Sequence, residues 1–247
     1  MIYELFSFLG NVPGARLMNY ISFRAIVAGV MGLCISIRVG KWFIQLLKRK
    51  NISETQRDEK IDPFNVAKKG VPTMGGVVII AAMLVPCILL GKLSNVYMIL
   101  MLITTLILGA LGFADDYIKT FRGNKEGLNG RVKIAGQITL GLIVGLTLRY
   151  SPEATMHERV TSHIENNITV FEKSSEVKST RTTIPFVKEH NFNYADMFSF
   201  LGEGGKYRAG WIFFVILTIF VVAAVSNGAN LNDGMDGMCA GNSAIIG

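Results

Sequence analysis

Charge is what this sequence has least of: Asp, Glu, Lys and Arg make up 17% of its 247 residues, where soluble domains run near a quarter. Beside 50% hydrophobic residues, that shortage excludes an ordinary water-soluble fold. Cysteine is scarce too. Cys34, Cys87 and Cys239 stand far apart in apolar or helix-flanking sequence, which excludes a disulfide framework and a zinc spacing and leaves buried thiols. Histidine is confined to His157, His163 and His190 in one polar stretch, where surface positions are the better reading than zinc ligands. The N-terminus lacks a basic start and a small-residue cleavage site, so it is read as mature sequence. Acidic residues are outnumbered, 18 against 25 basic ones, leaving +7. In an apolar chain that excess belongs in cytoplasmic loops and does not by itself point to nucleic acid.

Long apolar runs are what the sequence has most of. Crossing about 30 Å of hydrocarbon takes roughly 20 helical residues. Five stretches, 23–47, 74–90, 96–114, 132–149 and 211–226, are expected to do so, giving an all-α, polytopic transmembrane helix bundle in one integral-membrane domain. The first is interrupted by Arg24, Arg38 and Lys41 near its ends, where long basic side chains snorkel. A short amphipathic segment, 3–9, precedes it and is expected to lie on the membrane surface.

Orientation follows from the loops. Lys48, Arg49, Lys50, Arg57, Lys60, Lys68 and Lys69 separate the first two spans, and Lys119, Arg122, Lys125, Arg131 and Lys133 separate the third and fourth. The link between the second and third offers only Lys92. The positive-inside rule puts the two basic loops in the cytoplasm, with the N-terminus and the loop 150–210 outside. In that outer loop, 167–172 and 182–188 carry strand-like residues around a polar turn, and 195–201 reads as a short amphipathic helix. There is no internal repeat, and 240–247 reads as the start of a sixth span in a sequence that looks truncated.

With this topology the unusual polar clusters all fall on the cytoplasmic side. The first is Asp115-Asp116 in Gly-Phe-Ala-Asp-Asp-Tyr-Ile-Lys. It sits at a helix C-terminus, where the dipole disfavours a carboxylate by about 0.3–1 kcal/mol. Two adjacent carboxylates there call for a cation, and Mg²⁺ with substrate phosphates is the usual partner; the plainer alternative is a solvated helix end. Lys119, one turn on, is placed to share the phosphate. The second cluster is 226–237, Ser-Asn-Gly-Ala-Asn-Leu-Asn-Asp-Gly-Met-Asp-Gly, expensive at a membrane boundary unless its groups bind something. Asn227, Asn230, Asp233 and Asp236 recur every third residue, so one helical flank is expected to carry them and to read a nucleobase edge. The alternative is a polar helix end reaching water. The third is Lys68-Lys69-Gly-Val-Pro-Thr-Met-Gly-Gly, a helix entry preceded by lysines. That is a natural anion site, or else a lysine pair on acidic lipid headgroups. The basic run 122–133 fits a lipid phosphate and a coated membrane face equally.

Lys-x-Gly-x-Pro-Thr-Met-Gly-Gly, Asp-Asp-Tyr-x-Lys and Asn-x-x-Asn-Leu-x-Asp-Gly-x-Asp-Gly, in this order, resemble the phospho-N-acetylmuramoyl-pentapeptide transferase family. These are bacterial inner-membrane enzymes within the polyprenyl-phosphate sugar-1-phosphate transferase superfamily. The resemblance implies a Mg²⁺-dependent transfer at the cytoplasmic face. Undecaprenyl phosphate attacks the β-phosphate of UDP-N-acetylmuramoyl-pentapeptide and releases UMP, leaving the first lipid-linked peptidoglycan precursor. Carried over by motif, Asp115 and Asp116 lie at the metal and lipid phosphate, with Asp115 a candidate base. Lys119 and Lys133 steady phosphates. Lys68, Thr73, Asn227, Asn230, Asp233, Gly234, Met235 and Asp236 line the nucleoside and pyrophosphate side. Membrane lipid and a homodimer are candidate partners, and nucleic acid is not. The family has about ten helices and a later Phe-Met-Gly-Asp metal aspartate and histidine-rich motif, neither of which occurs in this sequence. A sister N-acetylglucosamine-1-phosphate transferase shares the metal chemistry, and an inactive fragment is a further reading. A non-enzymatic transporter would place ionisable residues near the bilayer midplane rather than at one face.

Overall fold

A computed structural model describes residues 15–49, 74–122, 127–165, 168–183, 191–233 and 237–246. The chain divides into two compact units, Met1–Gly136 and Gln137–Gly247. The architecture is all-α and polytopic, with a few short strands.

In the first unit a 3₁₀ turn, Ala15–Asn19, leads into α1 (Ile21–Arg49), followed by α2 (Gly76–Leu90) and α3 (Val96–Phe121). Asn95 starts α3: its Oδ1 accepts from the Tyr97 and Met98 amides at 2.8 and 3.4 Å, satisfying donors that have no partner within the first turn. At the far end the Arg122 amide closes on the Ile118 carbonyl at 3.1 Å. Helix α4 (Gly130–Tyr150) is started in the same way by Asn129, whose Oδ1 accepts from the Arg131 amide at 3.0 Å. Its residues from Gln137 onward belong to the second unit.

Four helical segments, Ile21–Arg49, Val96–Phe121, Gly130–Tyr150 and Tyr194–Asn232, are long and apolar enough to cross a membrane. The fifth expected span, 74–90, is a helix of 15 residues, about 22 Å long and short of the hydrocarbon thickness. It carries Pro86 in its interior, a residue that membrane helices tolerate.

Apolar side chains cover the outside of these helices. Ile26, Val30, Leu33 and Ile37 on α1 are each at least half exposed, as a lipid-facing surface requires. Lipid tails give helices no hydrophobic drive to associate, so contacts rest on close packing of small residues. In the first unit a Cβ on Gly32 of α1 would lie 2.9 Å from the Ala82 carbonyl oxygen of α2. The Ala82 backbone therefore leaves no room for a larger residue at 32.

The second unit holds the rest of α4, two small sheets, a 3₁₀ segment (Tyr194–Leu201), α5 (Gly202–Asn232) and α6 (Met238–Ile246). A Cβ on Gly141 of α4 would lie 2.6 Å from Ile219 Cα of α5, and one on Gly145 would lie 3.2 Å from the Val215 methyls. This glycine seam lets the two helices meet backbone to side chain. An aromatic cluster fastens the 3₁₀ segment to the start of α5, with Tyr194 buried and 5.5 Å from the Phe213 ring.

The loop 150–210 departs from expectation in its pairing. β1 (Met156–Glu165) pairs antiparallel with β2 (Ile168–Val177), and Arg181–Thr183 (β3) pairs with Asn191–Asn193 (β4). Residues 168–172 of the expected strand 167–172 fall in β2, but their partner is the stretch before them. That stretch, Met-His-Glu-Arg-Val-Thr-Ser-His-Ile-Glu, has too many charges for a period-two apolar pattern to be read. Residues 184–188 of the other expected strand lie outside the described residues. The helix expected at 195–201 is the 3₁₀ segment, bent at Phe198.

Candidate functional site

Helix α3 does not stop where its apolar run stops. Past Ala114 it continues for seven residues to Phe121, with the Phe113, Tyr117 and Phe121 rings in an i, i+4 row and the last two 4.7 Å apart. This extension puts Asp115 and Lys119 one turn apart on one side of the helix. Lys119 Nζ lies 2.7 Å from Asp115 Oδ2, and Lys133 Nζ, reaching over from α4, lies 2.8 Å from Oδ1. The Leu128 amide donates to the same Oδ1 at 2.7 Å. Asp115 is only 5% exposed, whereas the Lys119 and Lys133 side chains are 42% and 29% exposed.

One buried carboxylate therefore gathers two ammonium groups and leaves both partly open to incoming ligand. A carboxylate so placed is an anion that organises cations through charge-assisted hydrogen bonds.

The loop before α4 is shaped around that carboxylate. Gly127 has φ +73°, and a Cβ built there would overlap Asp115 Oδ1 and come within 2.6 Å of Lys119 Cε. Only glycine meets both demands, the left-handed backbone and the absent side chain. Sequence reading missed Gly127 and the Leu128 amide. A glycine in a polar loop carries no signal of what it touches.

The second cluster sits at the end of α5. Asn227 and Asn230 lie on the last turns of the helix, which ends at Asn232, with Asp233 as its C-cap. All three are exposed. Asn227 is already engaged: its Nδ2 donates to Gln137 Oε1 at 3.1 Å and to the Ala223 carbonyl at 2.8 Å. Its Oδ1 faces Gln137 Nε2 at 3.4 Å. An Asn amide has two donor hydrogens, and both are engaged here. Gln137 is a further residue that sequence reading missed. The signal was present, because a lone amide in an apolar span is a functional marker by default.

Of the other expected site residues, Lys68, Thr73, Gly234, Met235 and Asp236 lie outside the described residues. Met74, next to Thr73 in the same motif, is buried and holds a left-handed backbone at φ 68°, a conformation that costs a non-glycine residue about 1–2 kcal/mol.

Among the described residues no three His, Cys, Asp or Glu side chains gather as a metal cage. Mg²⁺ does not need one, since it takes one or two carboxylates and keeps waters or substrate phosphates. Asp115 and Asp116 suffice in number. Both Asp115 oxygens face ammonium groups, and Asp116 beside it is half-buried.

Comparison with known proteins adds a family to this geometry. Residues 98–247 match the model for glycosyl transferase family 4. The chain is 62% identical over 250 residues to the phospho-N-acetylmuramoyl-pentapeptide-transferase of Bacteroides fragilis and 60% identical to that of Phocaeicola vulgatus. A protein of the same name from Azobacteroides pseudotrichonymphae is 48% identical over 249 residues. In each case the whole of this chain is matched, and it spans 59% of the relative's length.

Proposed function

This chain belongs to glycosyl transferase family 4, and from that membership we propose that its activity is the one its relatives are named for. Phospho-N-acetylmuramoyl-pentapeptide is transferred from its UDP-linked form to undecaprenyl phosphate, and UMP is released. The observation that carries this reading is the Asp115 carboxylate with Lys119 and Lys133 on its two oxygens, at 2.7 and 2.8 Å. That arrangement, just past the apolar run of α3, suits a phosphate presented from the membrane.

A phosphate monoester has its second pKa near 6, so the lipid phosphate is largely dianionic at neutral pH and attacks without a protein base. A lipid-phosphate oxygen forms a bond to the β-phosphorus of the UDP-linked sugar. The bond from that phosphorus to the bridging oxygen breaks, and UMP leaves with the electron pair. Phosphoryl transfer of this kind needs positioning and charge neutralisation more than covalent help. Lys119 and Lys133 supply the positive charge, and Asp115 holds them at one place. Asp115 and Asp116 are the residues that would hold Mg²⁺, which would neutralise phosphate charge there. Asn230 and Asp233 face the nucleoside. Basic residues in the first two long loops support a cytoplasmic site in a bacterial inner membrane, with the N-terminus outside.

Binding of undecaprenyl phosphate and of undecaprenol to the purified protein tests the phosphate assignment. The unaltered protein is expected to prefer the phosphate at least about tenfold, and the Lys119→Ala/Lys133→Ala variant to lose that preference. Equal binding of phosphate and alcohol by the unaltered protein contradicts the assignment.

A further inference from the structure

Gln137 belongs to none of the three motifs, yet its side-chain amide takes part in three hydrogen bonds to α5. It is 5% exposed, inside the apolar span of α4. Its Nε2 donates to Ser226 Oγ at 3.1 Å and faces Asn227 Oδ1 at 3.4 Å, while its Oε1 accepts from Asn227 Nδ2 at 3.1 Å. The other Asn227 hydrogen goes to the Ala223 carbonyl one turn back along α5 at 2.8 Å. The Asn227 amide is thus held from its own helix and from α4 at once. One turn further along α4 begins the glycine seam, where Gly141 and then Gly145 rest against Ile219 and Val215 of α5. Backbone contact sets how closely the helices approach, and the amide pair fixes the end of the seam nearest the Asn/Asp cluster.

We propose that Gln137 is a positioning residue for nucleoside recognition. It takes up one of the two Asn227 donor hydrogens, turns that residue into an internal strut, and so sets the last turns of α5 on which Asn230 and Asp233 are displayed. This inference rests on the functional reading above, in which those two residues face the nucleoside. Ordinary interhelical glue would account for the same bonds, but it predicts a different result. Removing glue lowers stability and leaves nucleotide affinity alone. Removing a strut weakens the nucleotide while the lipid substrate is untouched.

The experiment measures UMP binding by calorimetry, and undecaprenyl phosphate binding beside it, on the purified full-length protein. Three variants are compared with the unaltered protein: Gln137→Ala, Gln137→Glu, and the exchange Gln137→Asn with Asn227→Gln. Gln137→Ala is expected to weaken UMP about tenfold, the scale of one net hydrogen bond, with undecaprenyl phosphate binding unchanged. Gln137→Glu keeps the acceptor but loses the Nε2 donor, and is expected to fall between. The exchange restores an amide pair and is expected to recover at least half of the loss on a logarithmic scale. UMP affinity within twofold of unaltered in Gln137→Ala, alongside a lowered melting temperature, overturns the proposal in favour of glue. A folded exchange variant that recovers nothing overturns it too. If the unaltered protein fails to bind UMP, the functional reading falls and takes this inference with it. Normal UMP binding that Gln137→Ala leaves unchanged removes this inference alone.

Discussion

Replacing Gly127 by alanine adds a single methyl group at the point where the loop before α4 touches the Asp115 carboxylate. Two costs follow from the geometry. At φ +73° an alanine is strained by about 1–2 kcal/mol. The new Cβ would also overlap Asp115 Oδ1 and crowd the Lys119 stem, so either the loop or the carboxylate must move. Movement breaks the 2.7 Å bond from the Leu128 amide to Asp115, and a hydrogen bond to a charged group is worth about 1.5–3 kcal/mol. Together these come to about 2.5–5 kcal/mol. If the loop yields locally, the loss falls on the placing of Lys119 and Lys133, and the rate of UMP release is expected to drop about a hundredfold or more. Helix content and elution volume in detergent should be unchanged. Gly127→Asn separates the two costs, since asparagine tolerates the left-handed backbone but still brings a Cβ. Equal losses in both variants assign the effect to the contact with Asp115. UMP release within threefold of unaltered in Gly127→Ala would refute the reasoning.

Other expectations follow from single residues. Asp116→Asn is expected to lower UMP release at least about a hundredfold, the scale of losing one electrostatic stabiliser, and chelation of Mg²⁺ should stop it in the unaltered protein; near-normal turnover in either case removes Asp116 from a metal site. Asp233→Ala should weaken UMP binding about tenfold by calorimetry, and unchanged affinity would take the end of α5 out of nucleoside recognition. Gly141→Ala adds a methyl where Ile219 Cα is 2.6 Å away, and overpacking of this kind costs about 1–3 kcal/mol. A thermal melt in detergent is expected to register that loss; an unshifted midpoint would show that the seam can open.

The transmembrane helices were legible because their signal is strong and local. A run such as 96–114 holds no charge, and it is the body of α3. The end of that helix was less legible: the apolar run stops at Ala114, but backbone bonding and the aromatic row carry the helix to Phe121. Without that extension Asp115 and Lys119 would not form an i, i+4 pair. The pairing of Asp115 with Lys133 joins residues 18 apart across a loop, and no periodicity announces it. In the loop 150–210, β1 hid behind its charges. Asn227 shows a different limit: its place in an Asn/Asp series suggests a ligand contact, while its partner in the structure, Gln137, lies 90 residues earlier. Type and spacing singled out polar residues, but which of them pair with one another depended on the tertiary fold.

The most direct test of the central claim is UMP release from UDP-N-acetylmuramoyl-pentapeptide by the purified full-length protein, with undecaprenyl phosphate and Mg²⁺ present or withheld. The account predicts release that requires both, with a lipid-linked sugar formed in equal amount. Release that continues without undecaprenyl phosphate would contradict it, and so would no release from this substrate while UDP-N-acetylglucosamine is consumed.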